Sequence, residues 1–499
     1  MGYSHEIVSV YCESMRATLL SLFSTYSQQL LQLDLTKIVC TRTATLIAID
    51  DSSLRAERSR THQRLDVFCL GTRATDCLGE ERLPPPIAAH IAAMQKEQYP
   101  YERLFQSLLG HLVDAVTNEH IFCRRFFQRD TFDHLFPNTL SLLTEHLENY
   151  LFTCHDAVAL LLMVSVTHAY RRLAQQRALL GRARISGPAK ERRTVSTSPD
   201  RSLDGFFDQI TKLLWPRLKT VMEGHLRSIQ TADAEQLGSV DLHAHYVSRR
   251  FGELCCSLLQ ILHSKARGAA TAATVMRSSP VRGSLARQKS EEQPQHHQSA
   301  GRKLLEDISQ LIDAFVLLLE RLAESKHSTQ KMRTVFLINN LDHIVCIFQE
   351  RRVTGKECSQ LVEQLIQYRE RFVEEELLTG FSKMIAFVQQ TELHLQQQSG
   401  DASGVDGVNP AVVESLLLDF AANWKSHMEQ INRNVLSYFS NFRNGMEILK
   451  HCLTQLLLYY TRFQEILRKI WKKSQPAFTK ELVPTNVILT EIKKYALAL

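Results

Sequence analysis

The chain has 499 residues, 44% hydrophobic and 22% charged, which excludes a collagen-like chain, a wholly disordered chain and a disulfide-stapled miniprotein, and calls for more than one core. Its net charge of +6 is unevenly placed: residues 178–203 carry +4 and residues 265–303 carry +6, leaving the rest at −4. The basic excess sits in two apparent linkers, so it does not describe a folded nucleic-acid-binding face.

Only 19 Gly and 13 Pro occur, too few for the many turns of an all-β protein, and long helices are expected. In chain order, a helix is expected over about 6–33, within an N-terminal region 1–49. Residues 50–100 read as linker and extended chain: 50–64 is polar and Arg-rich, Val67-Phe68-Cys69-Leu70 before Gly71 is the best strand signal, and Pro84-Pro85-Pro86 is a stiff connector. Helices over 102–128, 139–178, 204–230 and 244–264 make a first bundle region, 101–264, interrupted by the basic stretch 178–203. That stretch and 265–303 are rich in Ser, Arg, Gly and Gln and are expected to be disordered linkers.

From residue 304 the apolar spacing alternates four and three, through Leu304, Ile308, Leu311, Phe315, Leu318 and Leu322. Helices over 328–350, 356–378 and 380–398 follow, then a Gly-rich loop at 396–409. Two further seams close the chain: Val413, Leu417, Phe420, Trp424, Met428, Ile431, Val435; and Leu449, Leu453, Leu456, Tyr460, Phe463, Leu467, Ile470. Each lasts about three heptads, and Leu457, Leu458 and Tyr459 widen the last beyond a two-residue stripe. Such helices form bundles more readily than two-stranded coils. Residues 304–499 read as a second helical bundle region.

The longest apolar run, Ala157 to Val166, falls short of the roughly 20 residues that cross a bilayer. No basic n-region with an apolar core opens the chain, and Glu6 stands where a myristoylation motif needs Ser or Thr. Membrane contact is therefore expected to be peripheral. The 11 cysteines form no C-x-x-C pair and read as buried thiols of a reducing compartment.

The strongest enzyme signal is Asp241-Leu242-His243-Ala244-His245 after Gly238. It resembles the metal-binding start of amidohydrolases, where two His from a strand end hold a divalent ion. No β–α alternation follows, and the plainer reading is that Asp241 caps a helix with the His pair in its first turn. Cys255-Cys256 point about 100° apart on a helix and suit packing better than one metal. His155-Asp156 reads as a hydrogen-bonded interior pair, and His296-His297 as solvated linker. Asp401 and Asp406 fail the calcium-loop spacing, and no nucleotide loop or nucleophile elbow is present. Arg192-Arg193-Thr194-Val195-Ser196, Ser198-Pro199 and Ser290 are candidate phosphate acceptors in the basic stretches.

Four blocks stand out. They are Leu213-Leu214-Trp215-Pro216-Arg217-Leu218; Leu237-Gly238 through His245-Tyr246-Val247-Ser248-Arg249-Arg250-Phe251; Val335-Phe336-Leu337-Ile338-Asn339-Asn340-Leu341-Asp342; and Ser440-Asn441-Phe442-Arg443-Asn444-Gly445, followed by Leu453-Thr454-Gln455-Leu456 and Tyr460-Thr461-Arg462-Phe463. Weaker ones are Phe68-Cys69-Leu70-Gly71-Thr72-Arg73 and Gln98-Tyr99-Pro100-Tyr101-Glu102. In this order the blocks resemble the vacuolar protein sorting-associated protein 52 family, over nearly the whole chain.

That resemblance implies an all-α fold, an elongated rod of stacked helical bundles of the multisubunit tethering type. It implies a non-enzymatic subunit of the Golgi-associated retrograde protein complex and its endosomal sister. Such a subunit helps capture endosome-derived vesicles at the trans-Golgi network, on the cytosolic face. The implied partners are other tethering subunits, SNARE-type fusion proteins and a Rab-type small GTPase, with no cofactor and no nucleic acid. Residues 1–49 would then be the tail of the family's N-terminal coiled-coil assembly region, and the basic linkers are longer than the family's usual connections. Trp215, Pro216, Arg249, Arg250, Asn339, Asn340, Asn441, Phe442, Arg443 and Asn444 are the candidate packing or partner residues. The alternatives are a metal-dependent hydrolase using Asp241, His243 and His245, or a scaffold of another helical tethering complex.

Overall fold

The computed structural model describes residues 2–35, 45–47, 67–79, 82–185, 200–238, 240–277, 294–397, 408–471 and 476–497. The fold is all-α; among the described residues the β-type pairing is a single bridge between Asp34 and Tyr99. The chain divides into two compact units. Unit 1 is Met1–Ala232 with Arg250–Phe315, and unit 2 is Asp233–Arg249 with Val316–Leu499. The sequence suggests a division at the basic stretch 265–303; the compact units part instead at Phe315, inside the apolar seam that begins at Leu304.

Unit 1 holds α1 (Gly2–Gln32), α2 (Arg73–Leu78), α3 (Ala89–Gln95), α4 (Tyr101–Phe126), α5 (Phe132–Leu135), α6 (Pro137–Thr153), α7 (Ala157–Ile185) and α8 (Asp200–Gln230). It also takes most of α9 (Tyr246–Arg277) and the first part of α10 (Pro294–Lys326). Its centre is α7, packed against α4, α8 and α2. Residues 157–166 are buried without exception. The helical stretch Ala157–Ala178 is long and apolar enough to cross a membrane by length and composition, further than the ten-residue run suggests. In the fold, 67% of that window is buried as the core of unit 1.

The single helix expected over 139–178 is two helices, broken at residues 154–156. Asp156 Oδ1 accepts a hydrogen bond from Ala159 N (2.8 Å) and so caps α7. The carbonyl of Cys154, at the end of α6, accepts from Arg217 Nε (2.8 Å) and Nη2 (2.6 Å). His155-Asp156 is therefore a helix junction rather than an interior pair, with His155 exposed.

The strand-like segment at 67–70 is turn and extended chain, held by one hydroxyl. Ser257 Oγ donates to Phe68 O (3.1 Å) and accepts from Leu70 N (2.9 Å). Within the expected linker 50–100, α2 and α3 are helical and residues 51–66 lie outside the described residues. The N-terminal helix α1 buries Val8, Cys12, Leu19, Phe23 and Leu30 and packs on α5 and α6, as part of unit 1.

Helices extend into both basic stretches. α7 runs to Ile185 and α8 starts at Asp200; α9 runs to Arg277 and α10 starts at Pro294. The run Ala269-Ala270-Thr271-Ala272-Ala273 shows why, since Ala is the best helix former. Residues 186–199 and 278–293, with their phosphate-acceptor candidates, lie outside the described residues; His296-His297 falls within α10 rather than in a linker.

Unit 2 holds the start of α9, the end of α10, α11 (Gln330–Glu350), α12 (Lys356–Gln397), α13 (Pro410–Tyr438), α14 (Phe442–Ile470), a 3₁₀ turn at Ala477–Glu481 and α15 (Thr485–Leu497). α12 packs on α11, α13 and α14. It bends at Phe381 (φ −125°, ψ 17°), where two separate helices are expected from the sequence. The seam along α13 is buried at all seven positions, and the seam from Leu449 is buried through Leu467. Residues 398–407 of the Gly-rich loop lie outside the described residues.

Candidate functional site

Three of the four sequence blocks meet at one polar junction in unit 2. Its base is α11, which starts at Thr329, whose hydroxyl accepts from Met332 N (3.3 Å). From Thr334 to Phe348 this helix is buried on nearly every side. Asn339, Asn340 and Asp342 are therefore amides and a carboxyl inside an apolar helix, which is costly unless each finds partners.

They do. Asn339 Nδ2 donates to Leu242 O (2.7 Å) and to Tyr438 O (2.8 Å), so it meets an open carbonyl at the end of α13. Asn340 Oδ1 accepts from His245 N (2.8 Å) and Ser248 Oγ (2.6 Å), while its Nδ2 donates to Phe336 O (2.8 Å). Asn340 thus does for the start of α9 what a local capping side chain would do. Asp342 Oδ2 accepts from Asn441 Nδ2 (2.6 Å), and its Oδ1 pairs with Arg369 Nη2 (3.2 Å). Arg369 also pairs with Glu447 (3.0 Å). Burial pushes the Asp342 carboxyl above its ordinary range, against the hydrogen bond from Asn441 and the charge of Arg369.

Asn441 caps α14, its Oδ1 accepting from Arg443 N (3.2 Å). The next residues diverge. Asn444 and Gly445 are buried, and neither side-chain polar atom of Asn444 has a hydrogen-bond partner. Phe442 is 57% exposed and the Arg443 side chain 83% exposed. Arg249 is exposed as well.

The metal motif comes apart in the fold. Asp241 Oδ1 accepts from His243 N (2.8 Å) and Oδ2 lies 3.2 Å from His243 Nδ1, both residues being exposed. The backbone hydrogen bond, more than the imidazole, holds the Asp241 carboxyl below its usual value. His245 turns inward, its Nε2 3.2 Å from Leu237 O. Helix α9 begins at Tyr246, after the His pair, and is capped by Asn340 rather than Asp241. Among the described residues no three His, Cys, Asp or Glu side chains gather as metal ligands would. Cys255 and Cys256 are both buried.

Unit 1 joins the two weaker blocks in a buried ion triad. Arg73 Nε meets Glu102 Oε1 at 2.6 Å and its Nη2 meets Asp156 Oδ2 at 2.8 Å, all three residues being buried. One Arg from α2 thereby ties the starts of α4 and α7. Trp215 is half-buried in α8, beside an exposed Pro216, and the following Arg217 closes α6 as described. Arg250 is half-buried, its guanidinium 5.8 Å from the Phe68 ring centroid.

A family model described as Vps52, C-terminal matches residues 13–180 and 190–279, just over half of the chain. The chain belongs to that family. The vacuolar protein sorting-associated protein 52 homologs of Mus musculus and Homo sapiens are each 28% identical over 499 residues, covering 98% of this chain and 60% of their own length. Vacuolar protein sorting-associated protein 52 A of Arabidopsis thaliana is 30% identical over 500 residues, covering 98% and 61%. The chain therefore spans about three-fifths of these relatives. A solved structure of exocyst subunit Exo70p and the Exo84p C-terminal domains is similar at a TM-score of 0.36 and 11% identity, over 98% of each chain.

The Vps52 family model takes in the Trp215 block and the His245 block; Asn339–Asp342 and Asn441–Gly445 lie beyond its matched residues. Adjacent amides in an apolar run mark the junction in the sequence. Arg369 and Glu447 carry no such mark, because charged residues on a helix are usually solvated.

Proposed function

We propose that this Vps52-family chain is a non-enzymatic subunit of a vesicle-tethering complex in retrograde transport from endosomes to the trans-Golgi network. Family membership carries this reading, together with relatives over 98% of the chain whose names place them in vacuolar protein sorting. The complex would be the Golgi-associated retrograde protein complex or its endosomal sister, peripheral on the cytosolic face. Its action is bridging, by binding other subunits, SNARE-type fusion proteins and a Rab-type GTPase, with no cofactor and no bond chemistry.

Within that reading the candidate residues divide by exposure. Asn339, Asn340 and Asn441 hold the unit 2 junction, Asn444 is buried beside it, and Trp215 and Arg250 pack in unit 1. Phe442, Arg443, Arg249 and Pro216 face outward and remain for partners.

The test is to tag the endogenous gene, purify under mild salt and identify co-purifying chains by mass spectrometry. Two or three helical partner subunits at near-equal amounts are expected. A chain recovered alone, or one holding stoichiometric zinc that His243→Ala removes, overturns the proposal.

A further inference from the structure

We propose that the aromatic turn ending α4, Phe122 to Phe127 with Arg125 and Arg129, docks unit 1 on an anionic lipid bilayer. Residues 122–129 hold three Phe, three Arg and no Asp or Glu. The helix has two faces here. Cys123 is buried, while Phe122, Arg125 and Phe126, spaced three and four apart, share the open face. Phe126 is 69% exposed and Phe122 43%. Their rings stack (5.5 Å, 9°). Gln128 ends the helix in the left-handed region at φ 56°, a place more often taken by glycine. Phe127 before it meets Phe126 edge-on at 4.9 Å and Phe122 at 6.0 Å. A lone exposed ring needs no explanation, but three in mutual contact form a continuous apolar patch.

Helix α1 holds the rings in place. Tyr11 lies 5.6 Å from Phe122 and 5.1 Å from Phe127, and its hydroxyl donates to Glu119 Oε2 (2.6 Å). Rings fixed in this way lose little freedom on docking. The flanking carboxylates are engaged. Glu119 accepts from Tyr11, and Asp130 lies 3.6 Å from Arg124 and 4.0 Å from His120. Asp133, in α5, is exposed. Arg125 and Arg129 are exposed as well, and among the described residues neither has an ion-pair or hydrogen-bond partner.

A bilayer fits this patch better than a protein does. The middle of a protein interface is poor in charge, whereas here Arg125 shares the face of the two exposed rings. At a bilayer the rings enter the headgroup boundary. The arginine stems lie along them and carry the guanidinium groups to lipid phosphate. Unpaired arginines with no acid among them favour lipids of negative charge. The patch is small, so the hold is weak and reversible, as a peripheral subunit requires. The proposal rests to that extent on the peripheral membrane reading above.

Flotation of the full purified chain with vesicles tests it. The chain should bind vesicles of phosphatidylcholine with phosphatidylserine, and bind phosphatidylcholine alone severalfold more weakly. Added salt should weaken the binding. Phe126→Ser should lower it about ten-fold. Arg125→Glu with Arg129→Glu should lower it by a similar factor on the anionic vesicles alone. These side chains are exposed, so helicity and melting temperature should stay at the parent values. A parent chain that ignores anionic vesicles overturns the proposal, as does binding that either variant leaves unchanged. So does a dimer that Phe126→Ser dissolves in sedimentation while vesicle binding persists, which would give this face to a second copy. Co-purifying subunits without vesicle binding would overturn this proposal and leave the tethering reading in place.

Discussion

Asn340 accepts two hydrogen bonds and donates a third, all inside the core of unit 2. Truncating it leaves the His245 amide and the Ser248 hydroxyl buried without that acceptor. Asn340→Ala should cost about 2–4 kcal/mol in urea unfolding, and a loss under about 0.5 kcal/mol would show that the junction relaxes freely. His225 is a second sensitive residue. Burial, with a smaller contribution from His155, holds its imidazole down at about 4, from an ordinary 6.5. Between those values the unfolded chain binds a proton that the folded chain does not, so stability rises with pH across that window and is lost on acidification. The expected difference at this residue is about 2 kcal/mol between pH 7.5 and pH 5. His225→Leu should flatten the slope, read from urea midpoints at the two pH values.

At the scale of the element, helix crossings distinguish two kinds of glycine. A Cβ at Gly380 would lie 2.8 Å from the His427 ring carbon nearest its backbone, beside the bend at Phe381. The His427 Cβ, which no rotation of the side chain moves, follows at 3.1 Å. Gly380→Ala should therefore force α12 from α13 and cost about 1–3 kcal/mol. Gly205, in the first turns of α8, has open space around it. Gly205→Ala should stabilise by up to about 1 kcal/mol through helix propensity alone. Thermal melts of the pair check both signs, and equal shifts would contradict the close crossing.

At the scale of the whole molecule, the proposed tethering role can be tested apart from folding at the outward-facing part of the fourth block. Phe442→Ala with Arg443→Glu removes exposed groups, so stability should stay within about 0.5 kcal/mol of the parent. Co-purification of the other subunits should fall severalfold. Unchanged co-purification would assign the 440–445 block to packing alone.

The helical class and most helices were determined by sequence alone. Apolar residues spaced three and four apart are neighbours on one face, and the seams from Leu304 and Val413, and that from Leu449 as far as Leu467, are buried as that spacing requires. The distinctive blocks likewise carried the family. Tertiary structure decided which blocks meet. Asn339 and Leu242 are 97 residues apart, and Asn441 and Asp342 are 99 apart. Periodicity describes neighbours within a helix turn or two. The partners of a buried amide, carboxyl or helix end are set by proximity in space, and those are what broke α6 from α7 at Asp156, capped α9 with Asn340 and drew His245 away from His243.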